Sequence, residues 1–496
     1  MRSLLLGMPN AIWVWHLYQV FPNLGLNSLA GNVDEDFEVD VADLIVVRRN
    51  VKSFLETRIS RHAPDVIGLS AMSLHAKTAR YITRLVKLID PEIKMVLGGY
   101  HVTTMAEEIG RSSWGLDLDF MIRGEGESTF NELLRALDHG QDLHDIKSLS
   151  FKKNGKFVHN PLRTLEDLAT LKPPKRSARI IKKGFHSMGL KADVVESSRG
   201  CTNNCKFCSI NCMYGRSFRK FAVERVLEDI TSCKKDGVRA ILFADDNITL
   251  DSEHFANLCD GIIERDLNDI HYIIQTSVKG LYNKPMLLKK IIDANFKFIF
   301  MGIENPNPKN LRLIGKNVKN MAEKAERLVS YFRSHNIITI GGFILGNPED
   351  RANDFFKVLN YAKKIKIDVA LFQFLTPFPK TKIRENLLES DLIINPDDFS
   401  YYDTVTPNIK TNYLTRKEIV LLRGKMWNEF FSIPWLFSNN LAKLYPRYFF
   451  KSLIHAAPRV LKNLIEQISG TKSEYEIAEG MLQVEHKFRN LQRFRW

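Results

Sequence analysis

The chain has 496 residues, of which 44% are hydrophobic and 26% charged. These globular proportions exclude a disordered, collagen-like or small disulfide-stapled protein, and the length allows about three domains. No uninterrupted apolar run approaches the ~18 residues of a spanning helix. The opening Met1–Pro9 is too short in its apolar part for a secretory leader and reads as a first strand, so the expected compartment is the cytoplasm. Lys and Arg number 71 against 57 Asp and Glu, a net charge of +14. That excess admits nucleic acid, an anionic membrane surface or an anionic substrate without choosing among them.

Residues 1–145 alternate short apolar runs with amphipathic helical patterns. Strands are predicted at 3–8, 37–41, 65–69, 94–97 and 119–122, and Ile82, Leu85, Val86 and Ile89 share one face of an intervening helix. Strands alternating with helices predict an α/β domain, a Rossmann-like doubly wound parallel sheet that binds ligands beyond the carboxyl ends of its strands. Two glycine-bearing turns fall there: Gly98-Gly99-Tyr100-His101 and Arg123-Gly124-Glu125-Gly126-Glu127. Glycine lets backbone approach a ligand closely, although a plain strand-to-helix turn explains either run equally well, and His101 alone reads more naturally as a turn residue. Residues 146–190 read as a linker with a hairpin around Lys152–Lys156 and a Pro-Pro boundary at 173–174.

Strand–helix alternation resumes at 191, with strands near 193–197, 239–243, 271–275, 296–301, 338–344 and 369–374. Six such units over residues 191–396 are too few for a closed eight-stranded barrel and predict a partial (β/α)6 TIM-type barrel, with reactive groups at the strand carboxyl ends. All six cysteines lie between 201 and 259, and Cys201, Cys205 and Cys208 follow the first barrel strand in Arg199-Gly200-Cys-Thr-Asn-Asn-Cys-Lys-Phe207-Cys. Three thiolates at i, i+4 and i+7 can converge on one metal centre. Three ligands to a four-iron cluster leave one iron open, whereas a structural zinc site takes four, for which Cys212 is the candidate. Cys233 and Cys259 read as small apolar residues.

The CxxxCxxC spacing, with an aromatic residue before the third cysteine, resembles the radical S-adenosylmethionine superfamily. The resemblance implies a [4Fe-4S] cluster on Cys201, Cys205 and Cys208, whose open iron holds S-adenosylmethionine for cleavage to a 5′-deoxyadenosyl radical. It further implies cofactor contacts from Asp245, Asp246 and Asn247 after the second barrel strand and from Gln275 and Ser277 after the third. Glu304 after the fourth, and Gly342 and Gly346 in Gly341-Gly342-Phe-Ile-Leu-Gly346-Asn-Pro-Glu349-Asp350, complete the set. Relatives usually show Gly-x-Pro-Gly-Glu in that last segment, so this chain departs from the pattern at Glu349 and Asp350.

A Rossmann-like module before such a barrel resembles the cobalamin-dependent subfamily, which implies that Gly98, Gly99, His101, Gly124, Glu125 and Gly126 contact cobalamin. The Asp-x-His-x-x-Gly motif that supplies a histidine beneath cobalt in other cobalamin proteins is missing. Asp142-Leu-His144 is its nearest echo, so no such histidine is expected from this domain. The subfamily scheme is methylation of an unactivated carbon, with ring formation or rearrangement as the alternative. Methylthio-transferring relatives are disfavoured, because residues 1–200 contain no cysteine. The implied partners are a hydrophobic small-molecule or lipid substrate, such as a polyprenoid or tetrapyrrole, and an electron donor such as flavodoxin or ferredoxin.

Residues 397–496 are predicted to form a helical C-terminal cap. From 401 onwards 15 basic residues face 8 acidic ones, about half of the net charge. Aromatics crowd the same stretch: Trp427, Phe430, Phe431, Trp435, Phe437, Tyr445, Tyr448, Phe449 and Phe450, interleaved with Lys443, Arg447 and Lys451. A cap packed on the barrel mouth is one reading. A peripheral contact at the inner membrane face or a hydrophobic substrate channel is the other. No nucleic-acid-binding module surrounds these residues, and no nucleic acid is expected as partner.

Overall fold

A computed structural model of the chain describes residues 1–9, 19–316, 319–450, 454, 473 and 475–476. Its strands, in chain order, are β1 (Arg2–Gly7), β2 (Gln19–Val20), β3 (Glu38–Asp43), β4 (Val66–Ser70), β5 (Lys94–Gly98), β6 (Phe120–Ile122), β7 (Leu149–Lys153), β8 (Lys156–His159), β9 (His186–Ser187), β10 (Leu190–Val195), β11 (Ser198–Arg199), β12 (Arg219–Lys220), β13 (Ala240–Phe243), β14 (His271–Ser277), β15 (Phe296–Glu304), β16 (Ile338–Leu345) and β17 (Val369–Phe374).

The first sheet runs β3-β1-β4-β5-β6-β7-β8. Its five leading strands are parallel, and their order places a topological switch point between β1 and β4, where a doubly wound sheet opens for a ligand. One face packs against Leu55, Ile82, Val86 and Val102 from the helices on that side, the other against Leu26, Phe130 and Leu133. The 152–156 hairpin is no free linker. β7 pairs antiparallel with β6 and β8 with β7, covering an edge whose backbone groups would otherwise lie bare.

The second sheet runs β17-β16-β15-β14-β13-β10-β9-β2. Its six long strands, β10 and β13 to β17, are parallel and curve as a partial barrel. Alternate residues separate its faces. Ile241, Phe243, Ile274, Ile299, Ala370 and Phe372 join the helices in the main core. Leu242, Ile273, Phe298, Phe300, Ile338, Ile340, Val369 and Leu371 meet one another inside the barrel. Two short strands extend the barrel edge, and β2 comes from the amino-terminal part of the chain.

The described part of the carboxyl-terminal region overturns the barrel-mouth reading. Leu441, Tyr445, Tyr448 and Phe449 pack on Phe298, Ile338 and Ile340 inside the barrel, at the amino ends of the strands and opposite the mouth. Tyr445 hydrogen-bonds His271 at the start of β14 (2.7 Å), and the Trp435 indole donates to the Asp368 carbonyl just before β17 (2.7 Å). The cap is therefore a plug in the barrel floor. The Lys451 assignment lies outside the described residues, and among the described residues no helix is long and apolar enough to cross a membrane.

Candidate active site

The loop bearing Cys201, Cys205 and Cys208 leaves β10 through the small antiparallel pair β11–β12, and two adjacent acids after β13 hold its base. Asp245 is fully buried and accepts from the Ser197 backbone N–H (3.0 Å), the Ser197 hydroxyl (2.6 Å) and the Ser198 hydroxyl. Burial pushes its carboxyl up to about 6. Asp246 accepts from the Gly200 N–H at 3.0 Å, and burial likewise raises it to about 6. Asp245 is thus a strut of the loop with its oxygens already engaged, which corrects its assignment as a cofactor contact. Asp246 keeps one face on the open site.

Cys201, Cys205 and Cys208 are unpaired and half-buried. Burial raises all three thiols, Cys208 to about 12, and the charges of Cys201 and Cys205 raise Cys208 further. Loading iron must therefore displace protons. Cys212 turns away, its sulfur on the Lys380 carbonyl at 3.4 Å. Among the described residues, no group of three or more His, Cys, Asp or Glu is close enough to hold a single ion. Three half-buried thiols on one loop fit the three protein ligands of an open-sided cluster. Cys233 and Cys259 are completely buried in the main core.

Beside the cysteine loop, Glu304 ends β15 in the left-handed region, with φ 65°. Its carboxylate accepts from Lys316 Nζ at 2.6 Å, and Lys316 also donates to the Gly302 carbonyl (3.3 Å). The Lys316 charge lowers the Cys201 and Cys205 thiols against the rise from burial. Sequence reading missed Lys316, since nothing local distinguishes it from other lysines.

The remaining predicted residues divide. Asn247 donates to the Ser277 hydroxyl at 3.3 Å, and Ser277 accepts from the Gly280 N–H (3.1 Å) as the cap of the next short helix, so these two organise the rim together. Gln275 is exposed on the barrel-facing side of β14. At Gly342 a Cβ would lie 2.7 Å from the Phe300 ring, so this glycine makes room for an aromatic wall. A Cβ at Gly346 would meet Ile409 and Phe374 only at ordinary contact distance, 3.8 Å.

Between the two sheets lies a cavity of about 300 Å³. The first domain contributes Ser70, Gly98, Gly99, Tyr100, Gly124 and Gly126, and the barrel domain contributes Arg199, Met213, Tyr214 and Asp246. A Cβ at Gly124 would enter open space, and one at Gly98 would make only ordinary contacts, the nearest atom lying 3.8 Å away. These glycines leave a cradle that side chains would fill, which suits a bulky flat cofactor tail. The phenols of Tyr100 and Tyr214 meet there, and burial raises both.

His101 does not line this cavity, which corrects its assignment. It is 3% exposed, stacked on Trp114 with ring centroids 6.0 Å apart and edge-on to Phe399 at 5.5 Å. Burial pushes the imidazole down to about 4. Glu125 does reach the cavity, but its carboxylate accepts from Arg199 and from both terminal nitrogens of Arg219, each at 2.9 Å.

Comparison with known proteins agrees with this geometry. The B12 binding domain model matches residues 12–134 and the Radical SAM superfamily model residues 195–362. An uncharacterized methyltransferase of Pyrococcus horikoshii is 29% identical over 83% of this chain and 88% of its own length. The bacteriochlorophyllide d C-12(1)-methyltransferase of Chlorobaculum tepidum is 26% identical over 71% of this chain and 73% of its own. An anaerobic magnesium-protoporphyrin IX monomethyl ester cyclase of Rubrivivax gelatinosus is 25% identical over 73% and 65%. Among solved structures, the methyltransferase TsrM of Kitasatospora setae, with cobalamin and a [4Fe-4S] cluster bound, superposes with a TM-score of 0.66 at 18% identity, covering 78% of each chain. The cobalamin-dependent enzyme OxsB gives 0.66 at 18% identity over 99% of this chain and 76% of its own. With both domain models matched in order and the cysteine loop facing the glycine cradle across one cavity, the chain belongs to the cobalamin-dependent radical S-adenosylmethionine enzymes.

Proposed function

We propose that this enzyme methylates an unactivated carbon of a hydrophobic substrate of the polyprenoid or tetrapyrrole class, held inside the partial barrel. The observation that carries the substrate class is the barrel wall. Leu242, Phe300, Val369 and Leu371 are only partly buried and give the barrel interior an apolar wall, above Phe298 and Ile340, which the aromatic plug covers. The amides of Gln275 and Gln373 stand above it on the same strand faces, and Gln373 donates to the Thr404 hydroxyl at 3.0 Å. An apolar body with a few hydrogen-bonding groups fits such a site. Named relatives include a hopanoid C-3 methylase and two bacteriochlorophyllide methyltransferases, which agrees with that class.

When bound, the cluster supplies an electron to S-adenosylmethionine and cobalamin supplies a transferable methyl group. Cys201, Cys205 and Cys208 hold the former, and the glycine cradle with Tyr100 and Tyr214 receives the latter. Asp245 and Asp246 fix the loop between them, and the plugged floor keeps water from entering the barrel from below. An electron donor such as flavodoxin or ferredoxin is the proposed redox partner.

The test is anaerobic turnover of the reconstituted holoenzyme with methyl-deuterated S-adenosylmethionine on a hopanoid and on a magnesium porphyrin ester. Transfer of the labelled methyl with formation of both 5′-deoxyadenosine and S-adenosylhomocysteine supports the proposal. A product that has lost hydrogen while no S-adenosylhomocysteine forms would establish ring formation instead, the activity that the cyclase relatives carry in their name.

A further inference from the structure

The cysteine loop, residues 200–218, is closed at its base by the β11–β12 pair, in which Arg199 stands opposite Arg219. Both guanidinium groups reach across the domain boundary to one carboxylate. Glu125 accepts from Arg199 at 2.9 Å and from Arg219 through two nitrogens at 2.9 Å. Arg199 adds Glu127 and Glu196, each at 2.8 Å, and Arg219 donates to the Glu166 carbonyl at 2.7 Å. Side-chain exposure is 8% for Arg199 and 5% for Glu125. Arg219 grips Glu125 through both terminal nitrogens and Arg199 does so through one, and charge-assisted pairs this enclosed tolerate little displacement of either partner. Glu125 lies in the turn Gly124–Gly126, whose backbone forms one wall of the cofactor cavity. A movement of that turn must therefore shift both feet of the cysteine loop, or break the pairs.

We propose that Glu125, acting through Arg199 and Arg219, is a positioning residue that couples filling of the cobalamin cavity to ordering of the cluster-bearing loop. The proposal rests on the cofactor assignments above. By linkage the effect is reciprocal. Hydroxocobalamin should slow amide exchange in residues 200–218, and a reconstituted cluster should tighten hydroxocobalamin binding by roughly 5- to 100-fold, the span of ordinary site-to-site coupling.

The decisive variant is Arg219→Gln, because Arg219 contacts the turn without lining the cavity. Hydrogen–deuterium exchange and equilibrium hydroxocobalamin binding are measured on the full chain, with and without the cluster. The expected result is that the variant binds hydroxocobalamin like wild type in the cluster-free form, while the coupling factor falls to about 1. Glu125→Gln, which leaves Arg199 its bonds to Glu127 and Glu196, should likewise bring the coupling factor to about 1, whatever its own hydroxocobalamin affinity in the cluster-free form, and serves if Arg219→Gln fails to fold. Wild-type coupling surviving in both variants, or no coupling in wild type despite hydroxocobalamin uptake, overturns the proposal. If wild type takes up no hydroxocobalamin at all, the cofactor assignment itself fails, a separate and visible outcome.

Discussion

Lys316 and Glu304 form an ion pair at 2.6 Å beside the cysteine loop, and the two side chains are only 14% and 11% exposed. Burial of the ammonium is offset by Glu304 and by the nearby Cys205 and Cys208, so its pKa is held above the ordinary lysine value. Removing one partner strands the other. Lys316→Met should cost about 3–5 kcal/mol in urea denaturation, because it leaves the Glu304 carboxylate buried and unpaired. Loss of a positive charge beside the thiolates should also lower the cluster midpoint potential, on the order of tens of millivolts by Coulomb estimate. Lys316→Arg, which keeps the charge, should retain most of both quantities. An unchanged potential in Lys316→Met, measured by redox titration with electron paramagnetic resonance, contradicts this role.

His101 predicts a pH dependence of opposite sign to that of the raised carboxyls Asp245 and Asp246. Its folded pKa of about 4 lies below the ordinary 6.5, with burial the main cause and Glu108 pulling weakly the other way. The unfolded chain therefore takes the proton first as the pH falls. The contribution to stability is whole above 6.5 and drains away towards about 4. Between pH 7 and pH 5 this amounts to about 2 kcal/mol. His101→Phe keeps the ring between Trp114 and Phe399 and also removes an imidazole nitrogen buried without a hydrogen-bond partner. The wild-type-minus-variant difference in unfolding free energy should shift by that amount between the two pH values. Hydroxocobalamin retention should not change, since His101 is outside the cavity.

The sequence made the strands of the first sheet readable to within one or two residues at most ends, because each is a short β-branched or leucine-rich run between polar helices. The cysteine loop was conspicuous from its CxxxCxxC spacing, which placed it just beyond the first barrel strand, where the structure has it. What could not be read depends on contacts between distant positions. Arg219 meets Glu125 across 94 residues, and no local pattern records such a meeting. Tyr100 and His101 are adjacent at the start of the helix Tyr100–Arg111. A helix turns neighbouring side chains about 100° apart, so one faces the cavity and the other the core, and the sequence does not say which. Asp245 and Asp246 divide in the same way between strut and site. The aromatic cluster at 427–450 was conspicuous, but the end of the barrel it closes depends on how the chain returns after β17.

Gly99 tests the cradle. Its φ is +94°, and a Cβ there would lie 2.8 Å from the Ala71 carbonyl oxygen and 2.9 Å from its nitrogen. Gly99→Ala must either strain this backbone, at about 1–3 kcal/mol, or push the β4 exit away from the β5 exit and distort the cavity wall. Hydroxocobalamin bound per chain after gel filtration should fall on the order of tenfold, the equivalent of ~1.4 kcal/mol. Iron bound per chain should stay near wild type, because the cysteine loop is carried by the other sheet. Parallel loss of iron and cobalamin together with a lowered melting temperature would show a general folding defect instead.

The barrel plug separates buried aromatics from exposed ones within one short stretch. Phe449 is 4% exposed and packs with Trp435 in the barrel-floor cluster, whereas Phe437 is 83% exposed. Phe449→Ala should therefore cost about 3–5 kcal/mol, the transfer energy of a phenyl ring plus the cavity it leaves. Because that cavity opens into the barrel floor, it should also admit water and raise the fraction of S-adenosylmethionine cleaved without product formation. Phe437→Ser should change stability by no more than about 0.5 kcal/mol. If Phe437 instead serves a lipid contact, its serine variant should lose binding to anionic vesicles while melting like wild type. Co-sedimentation with phosphatidylglycerol vesicles, run beside thermal denaturation of both variants, tells a purely internal plug from one whose outer face also meets a membrane.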